Sequence, residues 1–218
     1  MSIEELQSRR VAMGSAAFAA QFQQDPVPAG GRTFMAGWME RTYTDAPECR
    51  FKVLSIDSAW KTGPQNDYSV LATWGFNGVD FYLLDVMRGR WEFPELARRV
   101  VERYGALKPN AVIVEEQQSG LAILQQLKST TGIPLIPLRP SGTKESRALA
   151  VTPYFEGGKV VLPERAPWLD AWLHEHLRFQ SDKHDDQVDT TSMALSYLSM
   201  LTVAPRTDYS KFRGFMGR

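Results

Sequence analysis

A mixed α/β domain is the architecture this sequence predicts: one central sheet, an antiparallel three-strand meander at one side and parallel strands at the other, with helices on both faces. Three observations predict it. The strand-like runs FKVLSID, YSVLATW and VDFYLLDV follow one another directly, with Phe76 to Gly78 as the hairpin loop between the last two. Helix-like segments then separate two short, continuously apolar runs, AVIV and IPLIPL, the pattern of strands buried on both faces. The chain closes with helices rather than strands.

Taken in order, residues 1 to about 50 start with helix-like spacing of Ala16, Phe18, Ala19 and Phe22, then turn loop-like through Pro26 to Gly31. They show no core of their own and are expected to be a linker ahead of a domain over 51–204. After the meander, WEFPELARRVVERYGA reads as a helix with Pro94 in its first turn and Gly105 near its end. AVIVE follows as a strand, LAILQQLKS as a helix, IPLIPL as a strand and KESRALAVTPYF as a helix. KVVLP reads as a short edge strand, and Trp168 to Phe179 and Asp185 to Leu201 as the last two helices. Residues 205–218 lack periodicity and are expected to be a flexible tail. Three strands, helix, strand, helix, strand and helices give the outline of an RNase H-like domain.

A chain of 218 residues suits one well-buried core, hence one active site. Hydrophobic residues at 43% and charged residues at 23% are ordinary for a globular protein, and no apolar run approaches the roughly 20 residues that cross a bilayer. The N-terminus, MSIEELQSRR, lacks a signal core, so a cytosolic protein is expected. The single cysteine, Cys49, excludes an internal disulfide and a Cys-rich zinc site. With 25 basic and 25 acidic residues, any contact with nucleic acid must come from local patches. Arg88, Arg90, Lys144 and Arg147 are the candidates; for Arg98, Arg99 and Arg103 a solvated helix face accounts equally well.

Carboxylates close three of the predicted elements. Asp57 ends the first strand and Glu115 ends AVIV, at the sheet edge where α/β proteins bind ligands. An apolar strand that stops on an acid requires solvent, a partner or a cation there. In HDDQVDTTSMAL, Asp185, Asp186 and Asp189 crowd the first turn of an apolar helix, where capping explains one or two acids but three less comfortably. Asp186 and Asp189 share a helix face and can point at the site that Asp57 and Glu115 form. An all-oxygen ligand set suits two hard divalent ions, Mg²⁺ or Mn²⁺, and phosphodiester hydrolysis is the matching chemistry.

These segments resemble the C-terminal nuclease domain of phage large terminase subunits over nearly the whole chain. IDSAWKTGPQNDYSV is similar to the family's first-strand aspartate segment. VIVEEQQSG resembles the segment whose glutamate precedes a glycine by five residues, which assigns Glu115 rather than Glu116. HDDQVDTTSMAL resembles the third acidic motif, TKESRALAVTPYFEGGKVVLP the connecting region with basic Lys144 and Arg147, and SAAFAAQFQQDPVPAGGRTF the stretch between motor and nuclease. The resemblance implies an endonuclease that cuts concatemeric double-stranded DNA during packaging in the bacterial host's cytoplasm, for a phage or prophage. It also implies an ATPase motor, a small terminase subunit and a portal as partners. No phosphate loop of the form GxxxxGK[ST] is present, so no ATPase activity is expected from this chain, whether an excised domain or a shortened gene.

Asp57 and Glu115 are thus the expected metal ligands, with Asp186 favoured beside them, Asp185 close behind, and Asp189 either a ligand or an acid supporting one. His184 is read as a cap, a phosphate contact or a water-orienting group, and Asp67 as a turn former with a lesser role near the metals. His174 and His176 are read as surface residues, the tryptophans as core or domain-contact residues rather than base-stacking platforms. Two other readings stay open: a Holliday-junction resolvase or RNase H of the same fold, and a non-catalytic module docking a portal or small subunit.

Overall fold

The structure, a computed structural model, describes residues 5, 33–59, 68–116, 118–182 and 184–203. Asp67, the helix-like stretch at 16–22 and the tail at 205–218 lie outside the described residues.

Among the described residues seven strands form one sheet: Thr42–Tyr43 (β1), Phe51–Asp57 (β2), Ser69–Phe76 (β3), Phe81–Gly89 (β4), Ala111–Glu115 (β5), Leu135–Leu138 (β6) and Val160–Pro163 (β7). Their order is β1-β7-β4-β3-β2-β5-β6. The meander β2-β3-β4 is antiparallel. Its parallel neighbours lie on both sides, β5 and β6 beyond β2, and β7 and β1 beyond β4, rather than on one side only. KVVLP is correspondingly no edge strand. Its residues Val160–Pro163 are all buried, because Thr42 and Tyr43 pair outside them.

Among the described residues five α-helices cover the sheet: Phe93–Leu107 (α1), Gln118–Thr130 (α2), Lys144–Glu156 (α3), Leu169–Leu177 (α4) and Asp186–Val203 (α5). Period-two alternation sorts the strand side chains between them. Leu54, Ile56, Leu71, Val112 and Val114 face α1 and α2 and bury Leu96, Val100, Ile123 and Leu127. Val53, Val70, Ala72, Trp74 and Ile113 face the other way, onto Val151 and Phe155 of α3, Trp172 of α4 and Leu195 and Leu198 of α5. Asp57 and Glu115 share the parity of Val53 and Ile113. Both acids therefore open onto the side where α5 lies. Trp74 and Trp172 are fully buried, as expected of core tryptophans.

Residues ahead of 51, expected to be a linker, contribute to this core. Phe34 is fully buried with its ring edge-on to Phe155, His176 and Phe179, and Met39 is buried with it.

His176 is a correction to the sequence reading: it is buried, stacked on Trp172 at 3.7 Å between ring centroids, whereas His174 is exposed beside Asp182. Helical spacing places residues two apart on different faces, so one histidine of the pair turns inward. Nδ1 lies 2.8 Å from the Trp172 carbonyl, which can only accept, so Nδ1 carries the proton and Nε2 accepts from the Thr191 hydroxyl at 3.1 Å. Burial pushes the His176 pKa down to about 3. A base whose folded value lies below its unfolded one gives stability present above about pH 6.5. It is lost as pH falls towards 3. Denaturant titrations between pH 7 and 5 should show stability falling by roughly 1.4 kcal/mol per pH unit below 6.5. An unchanged slope in His176→Phe would assign the loss to other groups.

Candidate active site

The strand-end acids are held in place by neighbours of like parity. Ser55, two residues before Asp57 on the same face, donates its hydroxyl to the Thr190 carbonyl of α5 at 3.0 Å, and both groups are buried. That bond fixes β2 against the first turns of α5. Asp186 and Asp189, 6% and 5% exposed, come in from the helix side. The four carboxylates meet: burial raises the Asp57 pKa well above the ordinary range, and the charges of Asp189, Asp186 and Glu115 raise it further, against Lys144.

A residue that sequence reasoning missed seats this helix. Glu175 of α4, 4% exposed, accepts the Gln187 backbone N–H through Oε1 and the Gln187 side-chain N–H through Oε2, both at 2.6 Å. It caps α5 from a neighbouring helix. Arg88 Nη1 lies 3.5 Å from the same carboxylate. Burial raises the Glu175 pKa, while the Gln187 hydrogen bonds and Arg88 pull it down.

Arg88 reaches Glu175 because β4 carries a bulge. Thr73 pairs with Asp85 but Trp74 with Leu83, so Leu84 is an extra residue that reverses the parity of the strand beyond it. Val86 accordingly joins the core on the α5 side, Asp85 meets Arg103 of α1 at 3.6 Å, and Arg88 turns to α4. Arg88 and Arg90 lie 3.9 and 4.0 Å from the Tyr68 ring centroid, and Tyr68 packs edge-on against His184. His184 Nδ1 is in turn 3.9 Å from Asp186 Oδ2. Arg98 and Arg99 pair with Glu95 on the outer face of α1, the solvated arrangement weighed above.

Lys144 and Arg147, one turn apart at the start of α3, stand among the acids. Lys144 Nζ is 2.6 Å from Asp185 Oδ1 and 2.7 Å from Asp189 Oδ2. Arg147 Nη2 is 2.9 Å from Asp189 Oδ1 and 3.8 Å from Glu115 Oε1. Thr143 caps this helix by accepting the Ser146 N–H at 3.2 Å, which fixes where both cations start. Asp185, more exposed than its neighbours, joins the cluster through Lys144. Glu116 points away and pairs with Arg139 at 2.6 Å.

Gly120 has a steric reason to be glycine. A Cβ there would sit 2.0 Å from the Glu115 carbonyl oxygen, because α2 starts hard against the end of β5. Gly120→Ala must push strand or helix aside, at a cost of about 1–3 kcal/mol. A lowered melting temperature, together with weaker divalent-ion binding as Glu115 shifts, is expected in calorimetry; a wild-type-like protein on both measures would refute the close approach.

The donor set suits a hard divalent cation, being all oxygen and mutually repelling. Among the described residues no three His, Cys, Asp or Glu side chains yet surround one point as ligands would. Lys144 and Arg147 are paired with Asp185, Asp189 and Glu115.

A seven-strand mixed sheet with an antiparallel meander, helices around it and acids at its strand ends is an RNase H-like fold. The chain belongs to the terminase RNaseH-like domain family, whose model matches residues 54–198. It is similar in structure to the large terminase of a thermophilic bacteriophage solved in complex with ADP (TM-score 0.70, 14% identity, 91% of this chain and 52% of that one). It also resembles the large terminase nuclease of thermophilic phage G20c with bound magnesium (TM-score 0.55, 18% identity, 78% and 98%). The Thermus phage P74-26 large terminase nuclease domain is similar too (TM-score 0.55, 17% identity, 73% and 91%). The chain thus spans about half the length of the ADP-bound terminase. No curated protein sequence matches it. Among the described residues no helix is long and apolar enough to cross a membrane.

Proposed function

We propose that this chain is the DNA-cutting part of a packaging terminase, a divalent-ion-dependent endonuclease that cleaves concatemeric viral DNA. The observation that carries the reading is the convergence of Asp57, Glu115, Asp186 and Asp189 from two strand ends and one helix start on a single partly buried site. Family membership supports it, and so do the G20c nuclease structures solved with bound magnesium and with bound zinc.

In this reading Asp57, Glu115, Asp186 and Asp189 hold a pair of divalent ions, Mg²⁺ or Mn²⁺, and Asp185 supports them from the rim. The ions supply Lewis acidity for phosphodiester hydrolysis. Ser55 and Glu175 set the distance between strand acids and helix acids. Lys144, Arg147, Arg88 and Arg90 provide phosphate contacts, which give affinity with little sequence preference. His184, packed on Tyr68, holds the approach to Asp186. A groove of about 370 Å³ begins at Glu115, Asp189 and Arg147 and runs past Ser192 and Tyr197 to the exposed Met200, giving a strand a way to leave the site. The ATPase motor, small subunit and portal are its partners in a longer machine, in the host cytoplasm; the phage terminase solved with ADP supports the motor.

The test is plasmid cleavage with Mg²⁺, Mn²⁺ or EDTA, comparing the chain with Glu115→Gln. Cutting that needs the ion and that drops by about 100-fold or more in the variant is expected. Cleavage persisting in EDTA, or undiminished in Glu115→Gln, would sink the reading.

A further inference from the structure

The two basic side chains expected to contact DNA spend their charge on carboxylates. Lys144 and Arg147 engage both oxygens of Asp189, and extend to Asp185 on one side and Glu115 on the other. Each Asp189 oxygen keeps a second lone pair, but an ammonium and a guanidinium 2.7 and 2.9 Å away repel an arriving divalent ion and compete with it for the same charge, so ion binding favours their departure. The Lys144 side chain is 44% exposed and its stem is long, so it has solvent to swing into, while Arg147 lines the groove that opens from the site.

We propose that Lys144 and Arg147 are a phosphate-binding pair held in reserve, paired with the acids until divalent ions take their place, and then turned to a DNA phosphate. The proposal rests on the reading of the acids as a divalent-ion site. Its logic is charge balance. Asp57, Glu115, Asp185, Asp186 and Asp189 outnumber the two internal cations and leave the site net negative, which repels a phosphodiester. Two divalent ions in their place offset most of that negative charge, and the same exchange releases an ammonium and a guanidinium, the groups that suit phosphate. The pair also explains how the acids stay close together without an ion. Asp189 would otherwise face Asp57, Asp186 and Glu115 uncompensated.

This exchange makes two expectations of opposite sign for one protein, the double variant Lys144→Met with Arg147→Gln. Without competing cations it should bind Mn²⁺ more tightly than wild type in titration calorimetry without DNA, by about tenfold, within the usual range of coupling between linked sites. Its affinity for a short duplex, read by fluorescence anisotropy, should gain far less than wild type on going from EDTA to Ca²⁺. A purely structural role for the pair predicts loss of both affinities, and ions bridging the phosphate alone predict no change in either. Each of those outcomes overturns the proposal. Lys144→Met alone, at a half-exposed position in the first turn of α3, keeps the metal arm readable if the double variant does not fold. Wild type that takes up no Mn²⁺ would instead defeat the underlying reading of the acids.

Discussion

Replacing Asp57 with Asn should reduce DNA cleavage by at least about 100-fold, the scale of losing one preorganised electrostatic group, and should at the same time raise the melting temperature of the metal-free protein. The two effects have one cause. Asp57 is partly buried beside three other carboxylates, so its charged form is disfavoured and its pKa stands well above the ordinary 3.8. For an acid whose folded value is raised, the sign of the linkage is that ionisation costs folding free energy. Without ions the protein gains stability as pH falls from the raised value towards about 4, the ordinary aspartate range. Asn removes the charge, keeps the shape and abolishes that dependence. Melting curves in EDTA across pH 4 to 8 would test it, and an Asn variant less stable than wild type at pH 8 would contradict the crowding argument. With Mg²⁺ or Mn²⁺ present the order should invert, because only the carboxylate gains from the ion.

Glu175→Ala carries the second large effect. Removing this carboxylate strands a buried backbone N–H, a buried amide and the Arg88 guanidinium at once. Loss of charged hydrogen bonds in a buried site costs about 3 kcal/mol. By the size scaling of melting this is a drop of roughly 6–12 °C. The consequence reaches the acids, since Gln187 lies between Asp186 and Asp189 and its N–H is the anchor of that turn. Divalent-ion affinity should fall about 10–100-fold, as for groups that support metal ligands elsewhere. Glu175→Gln retains one acceptor oxygen and should be intermediate. Unaltered ion affinity in an Ala variant that has lost stability would make Glu175 a packing residue only.

Much of this was legible in the residues. Asp57 and Glu115 each end an apolar run, and period-two parity with Val53 and Ile113 puts both on one face, so the strand half of the acid cluster follows from local pattern. Three acids at the start of α5, Asp185 just ahead of it and Asp186 and Asp189 in its first turn, exceed what capping requires, which marked the remainder. Ser55, a polar residue inside VLSID on the Asp57 face, was a readable signal that went unread. Glu175 had none, because within LDAWLHEHL its spacing is that of any helix acid, and its partner lies twelve residues away across a turn. The pairing of β1 with β7 was equally hidden, as a two-residue strand has no periodicity. Lys144 and Arg147 were visible as basic residues, but which charges they neutralise depends on how α3 packs on α5, a long-range fact that local spacing does not encode.

The bulge at Leu84 divides β4 into two territories. Ahead of it Phe81 and Leu83 serve only the hydrophobic interior; past it Asp85 and Arg88 serve opposite sides of the sheet, one bracing α1, the other reaching the α4 cap that anchors α5. A single surplus residue thereby wires the meander to the acids. Changes in strand length are therefore not equivalent along β4: loss of Leu84 itself would leave Asp85 opposite Thr73 and Arg88 on its side of the sheet, whereas loss of a residue between Leu84 and Arg88 would turn Arg88 to the wrong side.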